Sequence, residues 1–166
     1  PNVEELTNQN SNYQYPVGTQ GLIWQTTGED RQIEIVNATN DLRDDASDYR
    51  NTEGAVEGTQ YAELNCQSAG ALYQDVLTVP GTTLNWQFNH RGRDGNDTMY
   101  LLIASTENVL EITDQNDLED LVSQIQWRGQ QINQSTWSWG DYLLVENTAN
   151  NSEWDYVQGY SPSDSA

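Results

Sequence analysis

Residues 83–90 carry the sequence pattern that most constrains the fold of this chain. Apolar or aromatic side chains alternate there with amides, in the order Leu84, Asn85, Trp86, Gln87, Phe88, Asn89, His90. A period of two residues is that of a β-strand with one buried and one exposed face. We therefore predict a half-buried strand in which Trp86 and Phe88 face the core.

Short runs of similar composition occur along the rest of the chain, and each is bounded by turn-forming residues. These runs lie at residues 22–24, 33–36, 61–64, 72–79, 99–104, 142–145 and 154–160. Glycine, proline, aspartate and serine dominate the segments between them, as expected for tight turns. Strands of this length with short connections predict an all-β fold, a β-sandwich of about eight or more antiparallel strands.

One segment has the period of a helix instead. Its apolar residues are spaced at i, i+3, i+4 and i+7, namely Leu118, Leu121, Val122 and Ile125. Acidic residues at 114–117 are candidates for the N-cap. We predict one short inserted amphipathic helix of about ten residues at the edge of the sandwich.

The remaining segments have neither period. Residues 36–58 and 128–136 are polar and predict surface loops. We divide the chain into an N-terminal extension at 1–20, a β-sandwich domain at 21–160 and a polar tail at 161–166.

The charge of the chain excludes several classes of partner. Its 166 residues include 26 Asp and Glu against six Lys and Arg, which gives a net charge of -20. Such a field repels the phosphates of nucleic acids and anionic lipid headgroups. No stretch approaches the roughly 18 apolar residues that a transmembrane helix needs. We therefore expect no nucleic-acid partner and no membrane insertion, while six Trp and nine Tyr supply the apolar area of a folded domain.

Catalysis is not expected, because few residues could carry it. His90, the one histidine, falls on the inward phase of its strand, which predicts a hydrogen-bonded structural side chain. Cys66, the one cysteine, has no cation or helix N-terminus near it in sequence that would lower the pKa of its thiol. We predict that the protein is not an enzyme and has no catalytic residues.

Oxygen ligands for calcium are abundant, and two clusters of them stand out. One consists of Asp94, Asn96 and Asp97, and the other lies at residues 41–48. Neither has the spacing of an EF-hand, and the residues of the first cluster equally suit the backbone of a hairpin turn. A structural Ca²⁺ at the first cluster is therefore the one cofactor that the sequence leaves open.

The last third of the chain combines aromatic rings with amides. Flat aromatic faces can pack against the C–H faces of a pyranose, and amides can bond its hydroxyls without an ionic partner. Because 128–136 predicts a loop, the tryptophans beside it are expected to be exposed. The predicted ligand-binding residues are Trp127, Gln130, Gln131, Asn133, Trp137 and Trp139. Trp154, Tyr156 and Tyr160 share one phase of a strand, which fits core packing at least as well.

Several motifs together resemble those of a known family. They include Gly21-Leu-Ile-Trp24, Ile33-Glu-Ile35, Trp86-x-Phe88-x-His90-Arg91-Gly92-Arg93 and Trp154-x-Tyr156-x-x-Gly159-x-Tyr160. This order resembles the galactose-binding-like β-sandwich domains, similar to carbohydrate-binding modules, of secreted bacterial surface proteins. The resemblance implies a jelly-roll topology, an extracellular location, secreted or attached to the cell surface, and further domains in the parent chain.

The residues and the resemblance together predict a function. We expect non-catalytic binding of a neutral polysaccharide through exposed Trp, Tyr and amide side chains. Starch and maltooligosaccharides are the first candidates, because the domain looks like the starch-adherence modules of gut Firmicutes. Cellulose, xylan and host glycans stay open, and the alternative is an adhesin or spacer module that binds protein or no ligand.

Overall fold

The computed structural model describes residues 13–37, 55–64, 66–79, 81–93, 95–109 and 114–161. Every strand pair in this part of the chain is antiparallel, so the predicted all-β class with an inserted helix is confirmed. The jelly-roll topology stays a prediction. The chain divides into two compact units, Pro1–Gln74 and Asp75–Ala166. The predicted acidic cluster at 41–48 lies outside the described residues.

The described residues of the first unit form five strands in two small sheets. Their bounds are β1 Tyr13–Pro16, β2 Gln25–Thr26, β3 Gln32–Asn37, β4 Gln60–Glu63 and β5 Leu72–Tyr73. One sheet has the order β1-β3-β4, and the other pairs β2 with β5. Ile33 and Ile35 alternate along β3 and are buried together with Tyr15, as a strand with an apolar face requires. Because β1 lies within residues 1–20, part of the predicted N-terminal extension is a strand of this sheet.

In the second unit, the part that the structure describes has six strands and two helices. Their bounds are β6 Asn85–His90, β7 Asp97–Ile103, α1 Thr106–Val109, α2 Gln115–Arg128, β8 Gln130–Asn133, β9 Thr136–Trp139, β10 Tyr142–Ala149 and β11 Asp155–Tyr160. Four strands form a sheet of order β7-β10-β9-β8, and β6 pairs with β11. Strand β10 is an inner strand of this sheet, and its residues Leu143, Leu144 and Val145 are buried. A continuous apolar run of this kind is typical of a strand covered on both faces.

Helix α2 is the inserted helix that the spacing predicted. Its N-cap is Asp114, whose Oδ1 accepts the backbone N–H of Asn116 at 2.9 Å and of Asp117 at 3.0 Å. The helix has 14 residues and ends where the N–H of Gly129 donates to the carbonyl of Ile125 at 2.8 Å. Ile125 is fully buried, and the helix contacts β9 and β10. Its apolar stripe therefore packs on the four-stranded sheet.

The predicted loop at 128–136 is wrong. This segment contains the end of α2 and a β-hairpin, in which β8 pairs with β9 and Gln131 lies opposite Trp137. Strand β8 is at the edge of its sheet, and all four of its residues are exposed. A strand with no buried face shows no alternation of apolar and polar residues, so its sequence resembles that of a loop. In the predicted strand at 72–79, only the two residues of β5 are in a strand.

Candidate functional site

Trp127, in the last turn of α2, is exposed as predicted. Its side chain is 79% exposed. The guanidinium carbon of Arg128 lies 5.3 Å from the centroid of the Trp127 ring and 5.5 Å from that of Trp139. Both distances are those of cation–π contacts. The structure thus brings Trp127 and Trp139 together around a cation, which covers part of both rings.

Trp137 and Trp139 are half-buried, so the prediction that they are exposed is wrong. Both belong to β9, which lies between β8 and β10 in the sheet. Trp137 lies opposite Leu144 on β10, and the ring of Trp139 stacks on Tyr142 with centroids 5.7 Å apart. An inner strand has neighbours on both sides, and these cover aromatic side chains that a loop would leave in solvent.

The predicted amides of the hairpin are exposed, but two of the three help to close the hairpin itself. Asn133 accepts the backbone N–H of Ser135 at 2.9 Å through its side-chain oxygen. Gln131 donates its side-chain N–H to the carbonyl of Gln134 at 3.2 Å. Amides engaged in a turn in this way are local structural elements. Of the predicted amides, Gln130 is exposed without such a role in the described part of the chain.

A different surface brings tyrosines and amides together, on the outer face of β6 and β11. The cross-strand pairs on this face are Asn89 with Tyr156, Gln87 with Gln158, and Asn85 with Tyr160. All six side chains are exposed, and none is charged. Tyr156 is 55% and Tyr160 is 69% exposed. We call these six residues the tyrosine–amide face.

Hydrogen bonds order one end of the tyrosine–amide face, and a cleft opens beside them. The hydroxyl of Tyr156 lies 3.1 Å from Oε1 of Gln87 and 3.0 Å from Oε1 of Gln158. The cleft has a volume of about 460 Å³ and is lined by Asn85, Trp86, Gln87, Gln158, Gly159 and Tyr160. The cleft is partly open to solvent, and Trp86 and Gly159, from the opposite face of the two strands, contribute to its wall.

The opposite face of the same two strands anchors them. Trp86 lies across from Gly159, and its ring stacks on that of Phe88 at 6.0 Å between centroids. A Cβ at position 159 would collide with the Trp86 ring, so glycine lets the indole lie directly on the backbone of β11. The alternation predicted for β6 is confirmed, because Trp86 and Phe88 are half-buried while the amides between them are exposed.

His90 is buried and hydrogen-bonded, as predicted for a structural histidine. Its Nδ1 lies 3.1 Å from the side-chain nitrogen of Asn147 on β10. The amide nitrogen can donate to Nδ1 in the tautomer that carries its proton on Nε2. Burial lowers the pKa of His90, although the carboxylates of Asp97 and Asp155 act in the opposite direction. The bond joins β6 to the four-stranded sheet.

Cys66, in the first unit, is half-buried near acidic groups. Burial and then the charges of Glu34 and Asp30 raise the pKa of its thiol to about 11. The thiolate, which is the reactive form, is therefore scarce at neutral pH. Asp30 is itself a structural acceptor, because its carboxylate binds the backbone N–H of Gln32 at 3.1 Å and of Gln67 at 2.9 Å.

The predicted calcium cluster is described only in part. Asp94 lies outside the described residues, and Oδ2 of Asp97 accepts the backbone N–H of Arg93 at 2.7 Å. This bond gives Asp97 a role in the turn, which is the alternative to calcium binding that the sequence suggested for the cluster. Within the described ranges no group of three or more His, Cys, Asp or Glu could hold a metal ion. A Ca²⁺ at Asp94, Asn96 and Asp97 stays a prediction.

Comparison with known proteins leaves the family of this chain open. No protein-family model, no curated protein and no solved structure matches it. The resemblance to galactose-binding-like domains therefore stays a prediction. In the part of the chain that the structure describes, neither α1 nor α2 is long and apolar enough to cross a membrane.

The sequence indicated that Tyr156 and Tyr160 share one face of a strand, but not whether that face is buried or exposed. Tyr156 and Tyr160 alternate with Val157 and Gly159, and either phase of such a strand can face a core. The shared phase of the tyrosines therefore fitted core packing. Gly159 is the residue that could have decided the question, because a glycine on the inward phase leaves room for an aromatic ring from the neighbouring strand.

Proposed function

We propose that the protein binds a neutral glycan without catalysis, on the tyrosine–amide face. The observation that carries this proposal is the face itself: two exposed tyrosines and four exposed amides on one pair of strands. The aromatic surface expected from the sequence at Trp127, Trp137 and Trp139 supports it less well, because two of these three rings are half-buried. The predicted secreted or surface-attached location is part of the same proposal.

The absence of charge on this face favours a neutral ligand. The chain has a net charge of -20, yet no Asp, Glu or Arg lies among the six residues of the face. An anionic ligand would be repelled by the protein as a whole, and a cationic ligand would find no carboxylate there. Sugar hydroxyls can both donate to and accept from amides, without the cost of stripping water from an ion.

The two tyrosines suit a carbohydrate better than an aliphatic ligand. A phenol ring offers a flat apolar surface at a low cost in side-chain entropy. Tyr160, with 69% of its side chain exposed, can cover the C–H face of a pyranose. Amides beside it, such as Asn85 across the strand pair, can bond the hydroxyls at the rim of the same sugar. A site of this kind has the small number of convergent polar groups that is typical of ligand clefts.

Affinity electrophoresis in gels that contain soluble starch, xylan or a cellulose derivative tests the proposal. We expect one of these polysaccharides to retard the wild-type protein, and starch is the first to test. Tyr160→Ala should abolish the retardation, since truncation of a binding hot spot costs about 2 kcal/mol or more. Trp127→Ala is the matched control and should be retarded like the wild type, because it removes an exposed aromatic ring from α2 instead.

Salt dependence gives a second test. A neutral ligand releases no counterions, so affinity should change little between low and moderate salt.

Loss of binding in Trp127→Ala with retention in Tyr160→Ala would move the site to the α2 end and its hairpin. A wild-type protein that binds no glycan across a broad array would contradict the proposal and favour an adhesin or spacer role.

A further inference from the structure

Tyr156 and Tyr160 differ in what their hydroxyls contact. The hydroxyl of Tyr156 is within hydrogen-bond distance of both Gln87 and Gln158. Among the described residues, the hydroxyl of Tyr160 has no hydrogen-bond partner, and its ring is the more exposed of the two. The two tyrosines therefore cannot contribute to binding in the same way.

The contacts of Tyr156 fix the orientation of the two glutamines. Both side-chain amides lie about one hydrogen-bond length from the same hydroxyl. The hydroxyl has a single proton, so it donates to the oxygen of one amide and accepts an N–H from the other. The far end of each amide, which has no protein partner in the described part of the chain, then points away from Tyr156. Held in this way, Gln87 and Gln158 present one donor group and one acceptor group to the hydroxyls of a ligand.

The cleft separates the two roles further. Its lining includes Gln87, Gln158 and Tyr160 but not Tyr156. Tyr156 is therefore not part of the wall of the cleft. Gln158 and Tyr160 are two residues apart on β11, which is roughly 7 Å along a strand. A single sugar ring stacked on Tyr160 would leave the free ends of the two glutamine amides to bond the next sugar unit of a chain.

From these contacts we propose that the tyrosine–amide face binds a neutral glycan chain in two adjacent subsites. Tyr160 forms a stacking subsite, and Gln87 with Gln158 forms a hydrogen-bonding subsite in which Tyr156 is the positioning residue. This inference rests on the proposed function and names its ligand class: an oligosaccharide or polysaccharide of neutral sugars, not a monosaccharide. Specificity then resides in the sugar unit beside the glutamines, while the stacked unit is selected mainly by shape.

The experiment is a titration calorimetry series on the full chain with soluble starch, glucose, maltose and maltotriose, and with the matching xylan or cellulose series if starch does not bind. Wild-type affinity should rise steeply from the mono- to the disaccharide. Tyr156→Phe keeps the ring and should weaken disaccharide binding about fivefold to tenfold, the effect of one lost hydrogen bond. Tyr160→Phe, the matched control, should bind within about twofold of the wild type. Tyr160→Ala should weaken binding by more than about thirtyfold.

A double-mutant cycle separates positioning from a merely structural effect. If Tyr156 acts through the glutamines, Tyr156→Phe should have no further effect on affinity in a protein that already carries Gln87→Ala and Gln158→Ala. Equal affinity of Tyr156→Phe and the wild type for the disaccharide would overturn the two-subsite proposal. So would a Tyr156→Phe substitution that weakens binding as much in the variant with Gln87→Ala and Gln158→Ala as it does in the wild type. A protein that binds a monosaccharide as tightly as the chain would overturn it while leaving glycan binding intact. A wild-type protein that binds no glycan would overturn both.

Discussion

Gly159 on β11 lies directly opposite Trp86 on β6, and the indole ring lies against the glycine backbone. Gly159→Ala would place a methyl group in collision with the indole ring of Trp86, so one of the two must move. We expect a loss of about 1–3 kcal/mol in the free energy of unfolding, the usual cost of overpacking, measured by urea denaturation. In a Trp86→Leu background the same substitution should cost much less. Equal losses in both backgrounds would mean that the glycine is required for another reason.

Trp86 and Trp127 should contribute very differently to stability. Trp86 is half-buried and stacked on Phe88, so Trp86→Ala should cost on the order of 3 kcal/mol or prevent folding. Trp127 is 79% exposed, and Trp127→Ala should change stability by less than about 1 kcal/mol. Thermal unfolding followed by circular dichroism measures both. Similar losses in the two variants would contradict the placement of Trp127 on the exposed side of α2.

The N-cap of α2 offers a test of the inserted helix. Asp114→Ala removes the acceptor of two backbone N–H groups and should lower stability by about 1 kcal/mol. Asp120 is an exposed carboxylate in the interior of the same helix. Asp120→Ala should therefore be neutral or slightly stabilising, because alanine has the higher helix propensity. If Asp120→Ala destabilised the protein as much as Asp114→Ala, the loss of a negative charge, and not the loss of the N-cap hydrogen bonds, would explain the result.

The buried ring of His90 predicts a dependence of stability on pH. The pKa of His90 in the folded protein lies below its ordinary value of 6.5, so the unfolded chain binds the proton more readily. This contribution to stability is complete above pH 6.5 and is lost as the pH falls from there toward the folded pKa. Urea denaturation between pH 8 and 5.5 should show the decrease, and His90→Gln should flatten it. An equal slope in both proteins would assign the decrease to other groups.

Strand β6 and helix α2 were predictable from the sequence, whereas β1, β8 and β9 were not. Strand β6 has one covered and one exposed face, so its alternation is visible, and the apolar stripe of α2 likewise follows from Leu118 to Ile125. Strand β8 has four exposed residues. Its sequence therefore gives no sign that it is a strand. Its pairing depends on the turn at Asn133 and on the partner strand β9.

The candidate site was harder to predict than the fold, because exposure of an aromatic residue is a property of its neighbours. Trp137 and Trp139 are half-buried because β9 is an inner strand. Tyr156 and Tyr160 are exposed because the other phase of β11 packs under Trp86. Both outcomes depend on which strands pair, and this information is not contained in the local period of any one segment.

The most direct measurement for the proposed glycan face is a nitrogen–proton correlation spectrum recorded while a soluble oligosaccharide is added. A maltooligosaccharide is the first probe, followed by fragments of whichever polysaccharide retards the protein. We expect the shifts to concentrate on the backbone amides of β6 and β11 and on the side-chain amides of Gln87 and Gln158, with the indole signal of Trp127 unmoved. Shifts concentrated on Trp127 and the β8–β9 hairpin, or no shifts with any neutral glycan, would contradict it.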